Sequence, residues 1–384
     1  MCGTMTRKER LERTIRGQEV DRPPVCFYEI NGLTQNEHDT DAFNIYSDPS
    51  WKPLLALTRE KSDRIVNASV AMRGTSHDPL AERTTVDVRI EGDERLATKT
   101  IRTDGRVLTE SSRRHKDIDT VWVTEHLLKN VDDLKAYLSL PESPIDGTPD
   151  IAPVLAMEKS LGDSGIVMLN TADPLCMAAA LFPMDEYTVI AMTEPSLFRS
   201  LLDRCARMIY PRIAATVRAL PGRLWRIYGP EYASEPYLPP SLFRDYVTGY
   251  DTEIVRLIQE TGGIARIHSH GNLANVLHHI AATGADALDP IEPPPQGDVS
   301  LAAVRKRYPS MTLFGNLEVS DMETLRRDEF IPKVHAALDE GDTLDSRFVL
   351  MPSACPYGRA LPQRTLGNYE AIIHIMEERY AANR

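Results

Sequence analysis

Two imidazoles and one thiol are the side chains in this sequence best suited to chemistry. His268 and His270 stand two apart in Arg266-Ile267-His268-Ser269-His270-Gly271-Asn272. That spacing on a strand puts both side chains on one face, and at a strand-to-loop corner both rings can converge on one point. Imidazole is the commonest metal ligand. The pair therefore reads either as two ligands or as one hydrogen-bonded core histidine beside one loop histidine. Cys355 lies in Met351-Pro352-Ser353-Ala354-Cys355-Pro356-Tyr357-Gly358, just past another short apolar run. Two His and one Cys on one face can leave an open coordination position, the arrangement of catalytic zinc. A buried structural thiol is the other reading of Cys355.

Other polar residues follow similar runs: Asn170 and Asp173 in Asn170-Thr171-Ala172-Asp173, Glu231 in Gly229-Pro230-Glu231, Asp289 in Asp289-Pro290-Ile291-Glu292, and Asn316 in Gly315-Asn316-Leu317-Glu318. Each suits substrate orientation or support of a metal ligand, and each equally suits a turn or N-cap. Glu231 and Tyr357 are, by location, the candidates to deliver or accept a proton. His278 and His279 are adjacent in a helical pattern and point in different directions, which argues against a shared ligand role. The chain has no G-x-x-x-x-G-K-[ST], no G-x-G-x-x-G after a strand, no G-x-S-x-G and no H-E-x-x-H, so the phosphate loop, dinucleotide fingerprint and nucleophile elbow are unsupported.

The elements that must hold these residues are legible as alternation. A helix starts at the capping box Thr6-Arg7-Lys8-Glu9 and stops at Gly17. Eight short apolar or β-branched runs follow: Val25 to Glu29, Asp63 to Val70, Gly165 to Asn170, Leu224 to Gly229, Ile264 to His268, Ala285 to Asp289, Met311 to Gly315 and Arg347 to Met351. Helical patterns separate most of them, among them Ser241 to Thr261, Asn272 to Thr283, Ser300 to Tyr308 and Ser320 to Glu340, the last with its own capping box at Ser320. Alternating strands and helices mean βαβ units and a parallel sheet, and eight units close into an α/β fold of the (β/α)₈ TIM-barrel type. An open doubly wound sheet is the alternative. Thr85 to Arg113 alternates with period two and has turns at Glu91-Gly92-Asp93 and Thr103-Asp104-Gly105, which predicts an antiparallel β-hairpin insertion after the second strand. The whole of 1–384 reads as one domain, with 1–22 as the N-terminal helix and 84–150 as the insertion.

The chain has 384 residues, 44 Lys+Arg against 56 Asp+Glu and a net charge of −12. An acidic protein lacks the field that draws a chain to phosphate backbones or anionic lipid, so neither nucleic acid nor membrane is an expected partner. Nothing approaches the ~18 apolar residues of a membrane span, and the opening residues are charged where a signal peptide carries its apolar core. A cytoplasmic location is expected. The five cysteines, at 2, 26, 176, 205 and 355, are odd in number and widely spread, and read as free thiols.

Several of these pieces together resemble the uroporphyrinogen decarboxylase-like superfamily. They are Thr6-Arg7-Lys8-Glu9-Arg10-Leu11 and Gly17 to Val25, Ile267 to Asn272, Gly284-Ala285-Asp286-Ala287-Leu288-Asp289-Pro290, and Leu313-Phe314-Gly315-Asn316-Leu317-Glu318, in an order and spacing that span residues 5 to 380. The resemblance implies a (β/α)₈ barrel and one of two branches, the decarboxylases or the zinc-dependent, corrinoid-linked methyltransferases. The methyltransferase branch holds its metal by an H-x-C at one strand end and a second, later Cys. The matching positions are His268, His270 and Cys355, with His270 where that pattern has Cys. Two neutral imidazoles and one thiolate would leave Zn²⁺ with a net charge of about +1, a stronger Lewis acid than a site with two thiolates.

What the resemblance implies is a zinc-dependent methyltransferase. It would move a methyl group between a small, O-methylated substrate or a thiol and a cobalamin (corrinoid) supplied by a partner protein. A metal-free carboxy-lyase is the alternative. The decarboxylases carry Arg-Gln-Ala-Gly-Arg after the first strand, whereas Asn31 to His38 holds no Arg, so bidentate carboxylate recognition would fall to Arg73, Arg102 or Arg266. A non-catalytic corrinoid- or ligand-binding accessory protein is a second alternative. A homodimer paired through outer helices stays open.

Overall fold

The computed structural model describes residues 5–143, 146–341 and 347–381. In chain order its main strands are β1 (Arg64–Ala68), a group of four comprising β2 (Thr84–Glu91), β3 (Glu94–Arg102), β4 (Val107–His115) and β5 (Trp122–Glu125), then β6 (Gly165–Ala172), β7 (Leu224–Tyr228), β8 (Ile264–Ser269), β9 (Ala287–Pro290), β10 (Thr312–Leu317) and β11 (Phe348–Pro352). Seven of them form a parallel sheet in the order β1-β6-β7-β8-β9-β10-β11. Helices follow most strands and cover the outer face, so these strands are buried on both sides and read as near-continuous apolar runs.

The eighth stave is the segment around Val25. Cys26 N–H donates to Leu350 O at 3.0 Å, Leu350 N–H to Pro24 O at 2.9 Å and Asp63 N–H to Val25 O at 2.7 Å, which ties β11 to the residue before β1 and closes the circle. The expected strand Val25 to Glu29 is thus reduced to the single bridge Val25↔Leu350. It ends there because Tyr28 takes φ +52°, which no strand accommodates.

Period-two alternation divides each stave into inward and outward residues. Cys26, Ile65, Ile166, Met168, Leu224, Ala287, Phe314, Val349 and Met351 face one another as an apolar layer inside the barrel, joined by Leu11 and Ile15 of the helix Arg7–Ile15. That helix plugs the N-terminal end. Thr6 caps it by accepting from Glu9 N–H at 3.1 Å, and Arg10 pins it to Asp21 and Asp63. The larger core lies between strands and outer helices.

The insertion is larger than a hairpin: β2 to β5 make a four-stranded antiparallel sheet. Two helix expectations need correction. The segment 320–340 is broken into Val319–Thr324 and Arg327–Gly341, because Leu325 is extended (ψ 145°) and Glu329 caps a new start at Arg326 N–H. The cap of the first piece is Glu318, not Ser320. The pattern at 272–283 yields only Leu277–Ala282, since the side chain of Asp298 holds the N–H groups of Leu273 and Ala274 in a loop.

Gly315 in β10 has φ +147°, and a Cβ there would collide with the carbonyl oxygen of Pro290 in β9. Gly315→Ala is expected to cost about 1–3 kcal/mol through strain at a backbone position closed to L side chains. Urea unfolding of both forms checks this.

Candidate functional site

The same alternation that builds the apolar layer brings polar residues inward one turn higher, at the C-terminal ends of the strands. Continuing inward from Leu224 are Arg226 and Tyr228; from Ile264, Arg266 and His268; from Ala287, Asp289; from Phe314, Asn316; from Met168, Asn170; from Ile65, Asn67; from Cys26, Tyr28. The C-terminal face is where barrel enzymes place their chemistry.

Asp289 is the centre of this layer. Its carboxylate, with no exposed surface, accepts from Arg266 Nε at 2.6 Å and Nη2 at 2.9 Å, and lies 2.7 Å from His268 Nδ1. Burial pushes its pKa up, but Arg266 and His268 outweigh that and hold it well below the usual carboxylate range. The Arg266 guanidinium also lies over the Phe314 ring, 4.6 Å from its centroid. A second carboxylate repeats the pattern one loop further out: His270 Nδ1 is 2.8 Å from Glu292, which also accepts from Gly271 N–H at 2.7 Å. Burial works against the charge on His270, and the Glu292 carboxylate more than offsets it, raising the imidazole's pKa and lowering its own.

An ionised carboxylate only accepts, so each Nδ1 carries the proton and each Nε2 is the nitrogen turned away from its carboxylate. The two rings stand perpendicular with centroids 4.6 Å apart. A carboxylate behind Nδ1 fixes tautomer and orientation and raises basicity at Nε2, as in metal-ligating histidines.

Tyr28 approaches this pair from the first stave. Its hydroxyl lies 3.4 Å from His268 Nε2 and accepts from Arg226 Nη1 at 3.1 Å. Arg226 also donates to Glu29 at 2.9 Å and to Asn170 Oδ1 at 3.0 Å, and Asn67 donates to Glu29 at 3.0 Å. Both non-glycine residues with positive φ among the described residues border the site, Tyr28 at +52° and Ile291 at +55°, the latter between Asp289 and Glu292. Backbone strain of this kind concentrates where surroundings over-determine a functional geometry.

Cys355 is on the neighbouring loop. Its thiol is pushed above its ordinary range by burial and by the Glu29 carboxylate, with the Glu29 and Ile30 N–H groups against it. Among the described residues no three His, Cys, Asp or Glu side chains gather at a spacing that holds a metal ion. The donor set therefore matches a zinc site only in part: two imidazoles lie side by side with Nδ1 held by carboxylates, and the third expected donor is not gathered with them.

The other expected residues divide. Asn170 and Asn316 line the mouth, half-buried. Tyr357 is 53% exposed. Glu231 is half-buried, its charge is felt at His270, and its Oε2 has no hydrogen-bond partner. Asp173 is fully buried behind the mouth, where it caps the helix Pro174–Ala179. Beside it is Asp251, also fully buried, and Asp173 Oδ2 and both oxygens of Asp251 lack hydrogen-bond partners among the described residues. Burial raises the pKa of both well above the carboxylate range, and each ionised neighbour would raise Asp173 further. An acid with a raised folded pKa contributes stability below its unfolded pKa, about 3.9, and loses it as pH climbs through the folded value. Asp251→Asn removes that loss. Its melting temperature should exceed the parent's at pH 8 and converge with it at pH 4, and parallel melting curves at both pH values would contradict this.

Tyr28, Glu29, Asn67, Arg226 and Glu292 carry much of the geometry without having been singled out by residue type. The signal for Arg226 was present in Leu224-Trp225-Arg226-Ile227-Tyr228, where a charge sits in phase with an inward leucine.

The uroporphyrinogen decarboxylase (URO-D) family matches over residues 120–378. In structure the chain is similar to a methyltransferase from Methanosarcina mazei, with a TM-score of 0.60 and 17% identity over 98% of this chain and 99% of that one. That likeness is one of fold. No curated protein matches. Among the described residues no helix is long and apolar enough to cross a membrane.

Proposed function

The chain belongs to the uroporphyrinogen decarboxylase family, and from that premise we propose that it is a zinc-dependent methyltransferase, moving a methyl group between a small O-methylated substrate or a thiol and a corrinoid held by a partner protein. The observation that carries this reading is the pair of imidazoles at the barrel mouth, each held at Nδ1 by its own carboxylate, with Nε2 of His268 facing only the Tyr28 hydroxyl at 3.4 Å. The Methanosarcina mazei methyltransferase, which has the same fold, agrees with it.

His268 and His270 would hold zinc, with Cys355 as third donor. When bound, the zinc supplies a Lewis acid for the oxygen or sulfur that loses or gains the methyl group. Because Cys355 is not gathered with the pair, the roles below are those of the chain's own groups. Asp289 and Glu292 fix the two rings. Arg226 and Asn170 position the Tyr28 hydroxyl against His268, where it can hold a substrate oxygen. Asn316 lines the opposite wall. Glu231, with a buried unpartnered oxygen, is the proton-carrying group we assign, and Tyr357, exposed on the rim, is the weaker candidate.

The carboxy-lyase alternative asks for guanidinium groups free to bind substrate carboxylates. Arg266 is consumed by Asp289, Arg226 by Glu29 and Arg73 by Asp150, while Arg102 lies on the exposed insertion sheet. Elemental analysis of the purified chain tests the proposal. About one zinc per chain, falling sharply in His268→Ala and Cys355→Ala, is the expected result. A chain purified without chelator that holds no zinc overturns it and returns decarboxylation or ligand binding to the front.

A further inference from the structure

The insertion sheet has an edge that pairs with no other strand among the described residues. β2 is its outermost strand, paired with β3 through eight consecutive residues from Thr84↔Ile101 to Glu91↔Glu94. Its outer row of N–H and C=O groups is a template for another strand. Natural edges are blunted by proline, bulges or charges pointing from the apolar face. Thr84–Glu91 contains no proline, and its register with β3 runs without a shift. Its apolar residues are exposed instead: Val86 at 64%, Val88 at 59% and Ile90 at 63%.

The pattern of the strand says what fits there. Val86, Val88 and Ile90 share one face, the same face as Ile101 and Leu108, which are buried in the larger core at one end of the sheet. Asp87, Arg89 and Glu91 share the other. Consider a second copy of the same strand running antiparallel about a two-fold axis at Val88. Residue pairs then sum to a fixed register: Val88 meets Val88, Val86 meets Ile90, Thr85 meets Glu91, and Asp87 meets Arg89, twice per interface. Moving the axis one residue either way puts Asp87 opposite Asp87, or Arg89 opposite Arg89. Only the Val88-centred register combines opposite charges on one face with apolar pairs on the other over the full strand, and directly opposed pairs are the unit of sheet stabilisation.

We propose that the free edge of β2 is a homotypic interface, where a second copy of this chain pairs antiparallel about Val88 and joins two four-stranded sheets into one of eight strands. The contact is isologous and closed, so it makes dimers and not filaments. In it Arg89, which pairs with Glu91 along its own strand at 2.8 Å, gains the partner subunit's Asp87 across the two-fold.

Sedimentation velocity of the full chain over a concentration series tests this. The parent should populate a dimer. Asp87→Arg and Arg89→Asp, each placing like charges opposite one another twice, should weaken dimerisation by at least roughly tenfold, the equivalent of 1.4 kcal/mol. The double variant Asp87→Arg/Arg89→Asp should restore it, and Val88→Lys should give monomer. Circular dichroism of each variant shows that the fold is kept. A parent that stays monomeric throughout overturns the proposal. So does a dimer indifferent to Val88→Lys and to both single reversals, which would place the contact on another surface. None of these results depends on methyl transfer.

Discussion

Asp289→Ala is expected to remove about 3–5 kcal/mol of stability, the range for breaking a buried charge network by deleting one partner. The reason is what it leaves behind. Arg266 and His268 keep only 2% and 8% of their side-chain surface, and Asp289 is the one carboxylate bonded to both. Without it a guanidinium stays buried over the Phe314 ring with no counter-ion, and the barrel must admit water or unfold. Asp289→Asn retains one acceptor and the side-chain volume, so it should cost less while still leaving the charge of Arg266 unmatched. Urea denaturation separates the three forms, and a loss below about 1 kcal/mol for the alanine variant, the scale of an exposed ion pair, would mean that Asp289 is not the keystone of the polar layer.

His270→Ala should separate chemistry from stability. His270 lies at the loop end of the pair with 36% of its side chain exposed, so its loss removes little packing. It does remove one of the two oriented nitrogens. Methyl transfer and zinc retention should fall by more than the 10–100-fold typical of losing a partner behind a metal ligand, whereas Glu292→Gln, which only loosens the ring, should stay within that range. Equal effects of the two substitutions would make Glu292 and His270 a simple ion pair with no site role.

The eight staves were legible because a strand buried on both faces is written as a short apolar run, and a helix between runs leaves its own period. Less was legible where one residue's backbone decides the outcome. Val25 to Glu29 reads as a strand until Tyr28 turns left-handed, and Ser320 to Glu340 reads as one helix until Leu325 extends. At the site, His268, Asp289 and Asn170 were identifiable as polar residues at strand ends. Arg226 and Tyr28 were not, because the face of a strand that points inward is known only once the neighbouring staves are in register. Cys355 marks the other limit: its place after β11 follows from sequence, but the path of the loop that aims its thiol does not.

The measurement that tests the central claim most directly is the visible spectrum of methylcobalamin incubated with a thiol and the zinc-loaded chain, run beside cob(I)alamin with a methoxylated aromatic compound. The account predicts protein-dependent demethylation of the first or methylation of the second, absent in His268→Ala. No spectral change in either direction with zinc-loaded protein, together with release of carbon dioxide from uroporphyrinogen, would contradict it.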